Sequence, residues 1–241
     1  MQSTLTAGAD VVDRERLRRF ITDLYRRGRV TGEDGSEFPL APVGIPEEDG
    51  EKLRDLAVRE GVVHTFETGF AYGLSALFLC EAVTASGRSD ARHVSIDPMQ
   101  KKLFDNAGLA AVRASGAGPC FEFLCEGSQT ALPRFVLEGR RFDLAFLDGD
   151  HKFEAVFLDL YFAHRLVRPG GAILVDDIWM PSVDRAARYF ERNLGYARAP
   201  WPAAPRWPLV RRALGMAPVR MALLRRPETA DTRAWDHFAP F

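Results

Sequence analysis

The stretch VVHTFETGFAYGLS, residues 62–75, decides the fold of this 241-residue chain. Its first half is a short β-rich apolar run that predicts a strand, and Leu74 opens an apolar run of helical length. Gly69 and Gly73 let the backbone turn tightly between the two runs and approach a ligand. Because the unpaired N–H groups of a helix N-terminus face such a turn, we expect a polar ligand there.

The glycine spacing in this turn narrows the class of ligand. It reads G-x-x-x-G, which differs from the G-x-G-x-x-G of dinucleotide folds and from the phosphate-loop motif. Glu67 stands just before the turn, where its charge would repel a pyrophosphate and attract an ammonium group. The sequence therefore disfavours NAD and ATP as ligands.

Strand-like and helix-like runs alternate on both sides of this stretch. The predicted strands are 62–68, 93–97, 120–125, 142–147 and 172–175, with two late ones at 195–199 and 221–224. The predicted helices between them are 74–85, 100–114, 129–138, 153–167 and 183–193. Such alternation implies parallel strands joined by right-handed helical crossovers. We therefore expect an α/β fold with a doubly wound, mainly parallel sheet of seven strands.

The regions before and after the sheet suggest the domain organisation. Residues 1–60 contain an amphipathic helix at 17–25 and a second helix at 47–59, and they are too few for a core of their own. We expect them to form an N-terminal helical cap that covers one end of the sheet. The main domain then spans 61–227, including a proline-rich insertion at 200–218, and residues 228–241 form a C-terminal tail.

Composition places the chain among ordinary globular proteins. Hydrophobic residues make up 46%, charged residues 27%, and the formal net charge is -1. The polar N-terminus and the short apolar runs predict neither a secretory signal nor a transmembrane helix, so we expect a cytosolic protein. Cys80, Cys120 and Cys125 lie in or beside apolar runs and are expected to be buried thiols. Assembly into a homo-oligomer stays open.

A basic segment, residues 198–226, stands out against this neutral background. It holds seven arginines and no acidic residue. Three interpretations stay open: a lid over a small substrate, a docking surface for nucleic acid, and a solvated loop.

Acidic residues follow several of the predicted strands. Asp97 ends the second strand, Asp148 ends the fourth, and the pair Asp176 and Asp177 ends the fifth. Ligands of open α/β sheets bind at these carboxyl ends. Three clustered carboxylates would repel one another unless a cation neutralised them, and oxygen ligands suit Mg²⁺, Ca²⁺ or Mn²⁺. The sequence thus predicts a divalent-cation site at Asp148, Asp176 and Asp177.

Three motifs carry a resemblance to a known family: E-x-G-x-x-x-G-x-S at 67–75, LDGDH at 147–151 and VDD at 175–177. In these motifs the chain resembles the class I S-adenosylmethionine-dependent methyltransferases. Within that class it is similar to the cation-dependent small-molecule O-methyltransferases, both the catechol and caffeoyl-CoA enzymes and the bacterial enzymes that act on sugars of natural products. The resemblance covers about residues 46–226.

The resemblance implies a Rossmann-like fold and an O-methyltransferase acting on a hydroxyl of a sugar or phenolic small molecule. It implies S-adenosyl-L-methionine as the cofactor and a divalent cation, Mg²⁺, that assists the reaction. The residues it assigns to the cofactor are Glu67, Gly69, Gly73 and Ser75 for the methionine part, Asp97 for the ribose, Gly127, Ser128 and Gln129 for the adenine, and Asp148 beside them. The catechol-type pattern usually has Asn at the position of Asp177. This difference leaves the identity of the metal open.

The resemblance also implies that His151 is the general base, since the similar enzymes use a Lys or His at this spacing from the first acidic residue. It follows Asp148 by three residues at the start of a predicted helix, and an ordinary imidazole pKa of about 6.5 suits proton abstraction. With Asp148 it forms the predicted catalytic pair, whereas His164 is expected in the core. Two rival functions stay open: a nucleic-acid methyltransferase that docks through 198–226, and a cofactor-binding protein without catalysis.

Overall fold

The computed structural model describes residues 12–199, 201 and 220–241. Within them lie a two-stranded hairpin and a seven-stranded sheet of order β5-β4-β3-β6-β7-β9-β8. The strands are β1 (Arg29–Thr31), β2 (Glu37–Pro39), β3 (His64–Thr68), β4 (Arg92–Ile96), β5 (Phe121–Leu124), β6 (Phe142–Leu147), β7 (Val167–Val175), β8 (Ala197–Ala199) and β9 (Ala222–Arg225). The insertion expected at 200–218 lies outside the described residues, apart from Trp201.

The helices alternate with the strands as the sequence predicts. They are α1 (Arg14–Arg27), α2 (Glu47–Arg59), α3 (Leu74–Thr84), α4 (Gln100–Phe104), α5 (Ala107–Ser115), α6 (Ser128–Leu137), α7 (Phe153–Leu166) and α8 (Pro181–Leu194). No helix of the described part of the chain has the length and apolar character needed to cross a bilayer.

The sheet is mainly parallel, which confirms the predicted fold class. β4 pairs with β5, β3 with β6 and β6 with β7 in parallel, while β9 runs antiparallel to both β7 and β8. Strand order reverses between β3 and β6, since the chain adds strands on one side of β3 first and on the other side afterwards. In open α/β sheets, ligands bind outside the carboxyl ends of the strands at such a reversal.

The chain divides into two compact units, and the first comprises the residues up to His64 together with Phe70–Cys125. Its centre is α3, whose residues 74–83 are all buried. Such a helix needs cover on every side, and both α1 and α2 pack against it. Gly50 makes this packing close, because a Cβ atom there would lie 2.0 Å from the ring of Phe78.

One carboxylate interrupts the apolar surface of α3. The side chain of Glu81 is 1% exposed; it forms an ion pair with Arg18 of α1 and lies 3.6 Å from a guanidinium nitrogen of Arg54 of α2. Because a buried charge is tolerated only when paired, this cluster ties both helices of the N-terminal region to α3.

The second unit comprises Thr65–Gly69 and Glu126–Phe241. Phe66, Phe142 and Phe135 pack together in its core, with ring centroids 4.9 Å apart in an edge-to-face pair and 5.8 Å apart in a tilted pair. The C-terminal segment is held by Asn193, whose side-chain amide donates to the carbonyl of Ala239 and whose side-chain oxygen accepts from the N–H of that residue.

Several predicted boundaries are wrong. The helix expected at 100–114 is two helices, since Asp105 and Asn106 adopt left-handed backbone angles, with φ of 44° and 54°. The strand expected at 172–175 begins at Val167, so the Pro-Gly-Gly sequence at 169–171, which follows the helix expected at 153–167, lies inside β7. Cys80 and Cys120 are buried as expected, but Cys125 is exposed, because it follows the last residue of β5.

Candidate active site

The ends of β3, β6 and β7 form the floor of the candidate site in the second unit. The backbone N–H of Asp148 donates to the carbonyl of Thr68 at 2.9 Å, and the N–H of Asp176 donates to that of Leu147 at 3.0 Å. These bonds continue the parallel ladders one residue beyond the strands. The acidic residues that follow β6 and β7 are therefore neighbours, as the strand-end argument predicts.

Gly69 meets the loop after β6 at very close range. A Cβ atom on Gly69 would lie 1.9 Å from the carbonyl oxygen of Asp148, and the residue has φ of +83°. Only glycine combines this backbone angle with the absence of a side chain. The close approach therefore places the backbone after β3 directly against Asp148.

Asp148, His151 and Asp177 bring their side chains together above this floor. Nε2 of His151 lies 3.5 Å from Oδ1 of Asp148 and 3.2 Å from Oδ2 of Asp177. One ligand atom of each residue lies within 4.8 Å of the others, so the group fits a metal ion. The carboxylate oxygens suit a hard divalent cation, and the imidazole nitrogen adds a softer donor.

Burial and the contact between the Asp148 carboxylate and the His151 imidazole dominate the electrostatics of this group. Burial raises the pKa of Asp148, and the contact with His151 opposes that rise. The Asp148 carboxylate in turn raises the pKa of His151, with a smaller contribution from Asp177. A proton or another cation among these groups is thus stabilised by their surroundings.

Asp177 has a left-handed backbone conformation, and its carboxylate contacts Trp179 and His151. Its φ of 51° is left-handed, which costs a non-glycine residue about 1–3 kcal/mol and is common at functional sites. Oδ1 accepts a hydrogen bond from the indole N–H of Trp179 at 2.9 Å, while Oδ2 faces His151. Trp179 is half exposed, so part of its side chain is accessible to solvent beside the acidic group.

Asp176 has a different partner. Nε of Arg220 donates to both carboxylate oxygens, at 2.9 and 2.8 Å, and the N–H of Asp177 donates to Oδ1 at 2.8 Å. The Asp176 side chain is 0% exposed. Burial and the nearby Asp148 raise the pKa of Asp176 to about 8, and Arg220 works against that rise.

A small cavity lies beside these residues, lined in part by Gly149, His151, Asp176 and Asp159. Asp159 comes from α7 and is 4% exposed, and its Oδ1 has no hydrogen-bond partner among the described residues. Burial raises the pKa of Asp159 to about 6, although Ser128 and Thr68 oppose the rise.

The first unit contains Asp97, the carboxylate expected to bind ribose. Its Oδ2 accepts the backbone N–H groups of Phe70 and Ala71, at 3.1 and 3.0 Å, and its Oδ1 accepts that of Met99 at 2.6 Å. Asp97 is 5% exposed. It therefore braces the backbone around residues 70–71, a structural role that the sequence did not predict.

The other residues assigned to the cofactor have the following places. Gly73 caps α3 with φ of 74°, and Ser75 is buried in the first turn of that helix. Glu67 is 0% exposed near the end of β3. Gly127 caps α6, and Ser128 and Gln129 begin that helix, with the Gln129 amide folded against Gly127.

Sequence reasoning missed Arg220, Asp159 and Trp179. Arg220 was counted only as one of the arginines of 198–226, and nothing local marks it as a partner of Asp176. Asp159 is a polar residue among apolar neighbours within the helix expected at 153–167, and that pattern break was the one available signal.

The central part of the chain is similar to a known domain family. Residues 66–178 match the family model described as a methyltransferase domain. This range begins within β3 and includes the Gly69 turn, Asp148 and Asp177. No curated protein has a significant match to the sequence.

Solved structures share the fold at low sequence identity. Cofactor-bound Rv0187 from MTB is 18% identical, with a TM-score of 0.64 and 94% of each chain covered. The O-methyltransferase from Bacillus cereus in complex with SAH is 15% identical, with a TM-score of 0.60, and the match covers 93% of this chain and 94% of that one. TomG from Streptomyces achromogenes, an O-methyltransferase involved in tomaymycin synthesis and solved with SAM, is 18% identical, with a TM-score of 0.60 and 93% of each chain covered.

Proposed function

We propose that this chain transfers the methyl group of S-adenosylmethionine to a hydroxyl of a small molecule; the match of residues 66–178 to a methyltransferase-domain model and the fold shared with O-methyltransferases support this. One observation carries the proposal: Asp148, His151 and Asp177 converge at the ends of β6 and β7, beside the Gly69 turn. A hydroxyl is a poor nucleophile until its proton leaves. A base within a cluster of carboxylates suits O-methylation.

His151 is the base in this proposal. Its Nε2 faces two carboxylates, which hold the imidazole in place and stabilise the imidazolium that forms when it accepts the hydroxyl proton. The sulfonium of the cofactor supplies the reactivity of the methyl group, so the protein has to align the two reactants and exclude water.

The proposed cofactor contacts follow the sequence assignment. Asp97 would bind the ribose, Glu67 and the glycines at 69 and 73 would contact the methionine part together with Ser75, and residues 127–129 would contact the adenine. Asp148 would lie beside the reacting methyl. The cytosolic location and the homo-oligomer considered from the sequence stay predictions.

A divalent cation, Mg²⁺ or Mn²⁺, is part of the same proposal. Asp148 and Asp177 would hold it, because they belong both to the ligand set expected from the sequence and to the group of converging donor atoms. When bound, such an ion lowers the pKa of a hydroxyl and orients it.

The acceptor class is argued from Trp179. Its exposed indole is anchored by Asp177 at the edge of the acidic group. A flat aromatic surface beside hydrogen-bond acceptors suits a phenol or a sugar ring, which present an apolar face and several hydroxyls. We therefore place the acceptor among hydroxylated aromatic or sugar compounds.

The test is transfer of a labelled methyl group from S-adenosylmethionine to phenols, catechols and sugars, each paired with its O-methylated analogue as control. The proposal requires labelled product from a free hydroxyl and none from the blocked analogue. Cofactor binding without transfer to any acceptor would favour the non-catalytic alternative.

Nucleic-acid methylation is the second candidate, and two of the four described arginines of the 198–226 segment weaken it. Arg198 pairs with Asp184 and Glu191, and Arg220 pairs with Asp176, so neither offers a free charge to phosphates. Salt-sensitive binding of RNA or DNA, with label transferred to the nucleic acid, would reverse this preference.

A further inference from the structure

The pair formed by Arg220 and Asp176 is the feature of the site that the proposed reaction leaves unused. Asp176 was expected to bind the cation with Asp148 and Asp177. In the structure the donor atoms that converge belong to Asp148, His151 and Asp177, and Asp176 is absent from that group among the described residues. Both oxygens of Asp176 accept from Nε of Arg220 instead.

The position of Arg220 follows from the sheet. β9 pairs antiparallel with β7, with Val175 opposite Ala222, so the residues just before β9 lie beside those just after β7. The backbone N–H of Ile178 donates to the carbonyl of Arg220 at 2.9 Å, which fixes the main chain as well. The guanidinium therefore reaches Asp176 from a backbone that the β9 pairing and this hydrogen bond hold in place.

The pair is also largely shielded from water. The side chain of Asp176 is 0% exposed and that of Arg220 is 24% exposed. Attraction between opposite charges is strong in such surroundings, and an arginine keeps its charge at every relevant pH. Oδ1 of Asp176 accepts a further hydrogen bond from the N–H of Asp177, so most of the acceptor capacity of this carboxylate is in use.

We propose that Arg220 is a positioning residue that holds Asp176 out of the cation site, so that its guanidinium is the permanent counter-charge of this carboxylate. The inference rests on the proposed function and refines its ligand set. A divalent ion at Asp148 and Asp177, together with Arg220, neutralises all three carboxylates of the site. Without Arg220, Asp176 turns to the ion as a third carboxylate ligand.

The test is a titration of the protein with Mn²⁺ in the absence of acceptor. Binding is measured as the decrease of the free Mn²⁺ signal in electron paramagnetic resonance. Arg220→Gln should bind Mn²⁺ about tenfold or more tightly than the unmodified protein, a typical scale for a change around metal ligands. Arg220→Lys keeps the charge and should resemble the unmodified protein. Arg168→Gln is the matched control, since Arg168 pairs with Asp143 at the opposite end of β7.

Asp176→Asn completes the design. In the unmodified background it should leave Mn²⁺ affinity nearly unchanged, and in the Arg220→Gln background it should remove the gain. A loss of about tenfold from Asp176→Asn alone would overturn the proposal, because Asp176 would then be a ligand. Equal or weaker binding by folded Arg220→Gln, or no binding by either protein, would also overturn it.

Circular dichroism checks that each variant is folded. If Arg220→Gln does not fold, the Asp176→Asn and Arg220→Lys measurements still decide the question. Methyl transfer is measured separately, so a failure of the proposed reaction leaves the Mn²⁺ result readable, and the reverse also holds.

Discussion

A Cβ atom on Gly69 would lie 1.9 Å from the carbonyl oxygen of Asp148, so the chain after β3 and the chain after β6 touch at a point that admits no side chain. The two residues follow strands that pair in parallel, with Thr68 opposite Leu147. Packing of the backbone at this point sets where Asp148, and with it His151, stands.

We expect Gly69→Ala to cost about 3 kcal/mol or more of unfolding free energy and to abolish measurable cofactor binding, because the loop must move and the backbone angle is strained. Gly139→Ala is the control, since Gly139 has φ of +70° but nothing within 4 Å of its added Cβ. The unfolding free energy of that variant should fall by only about 1–2 kcal/mol. Denaturant unfolding and calorimetric titration test both, and equal losses would contradict the steric argument.

Asp97→Ala should weaken cofactor binding and also lower stability by about 2–4 kcal/mol, because buried backbone N–H groups lose their acceptor. Asp97→Asn keeps one acceptor oxygen and should retain most of the stability while still losing affinity. Asp90→Ala, which removes an exposed carboxylate of the same unit, serves as control. Unchanged cofactor affinity in Asp97→Asn would leave Asp97 with the bracing role alone.

His151→Ala should lower the maximal rate by roughly 10²–10⁴-fold with little change in cofactor affinity, as loss of a general base does. Added imidazole should restore part of the rate. His164 gives the contrast: it is half-buried, where the sequence predicted a core position, and its Nδ1 lies 2.9 Å from the hydroxyl of Tyr196. His164→Ala should cost stability and leave the rate of the folded enzyme nearly unchanged. Wild-type turnover by His151→Ala would exclude this base.

Asp159 should make the protein less stable at neutral pH than at acidic pH. Its pKa is raised from 3.8 to about 6, chiefly by burial, so the folded state holds the proton more tightly than the unfolded state does. The stabilisation is complete below pH 3.8 and is lost as pH rises through about 6.

Asp159→Asn should therefore raise the unfolding free energy above pH 6 by up to about 3 kcal/mol and flatten its pH dependence. Glu154→Gln changes an exposed carboxylate on the same helix and should do neither. Denaturant unfolding from pH 4 to pH 8 measures the difference. A destabilised Asp159→Asn protein at pH 8 would show that the charged form is needed.

Removal of divalent ions should abolish methyl transfer, and Mg²⁺ or Mn²⁺ should restore it, because the carboxylates at 148 and 177 need a counter-charge to act together. Exhaustive chelation followed by titration of each ion measures this. Full activity after chelation would remove the cation from the proposal while leaving the methyl transfer itself intact.

The sequence alone determined the sheet and the place of the site. Alternating apolar runs predict parallel strands, and acidic residues after such runs must gather at one edge, because parallel strands end on the same side. These are local patterns combined with a general rule of topology. They placed Asp148 and Asp177 together, as the structure has them, without any knowledge of side-chain packing.

Only the tertiary structure decided which charges pair. Arg220 reaches Asp176 because β9 runs antiparallel to β7 in one particular register, and a register over a separation of 44 residues is not readable from composition. The pKa of Asp159 is raised because its side chain is buried, at a position where α7 lines a small cavity. Burial, register and close backbone contact are properties of the folded chain, and they set the electrostatics of the candidate site.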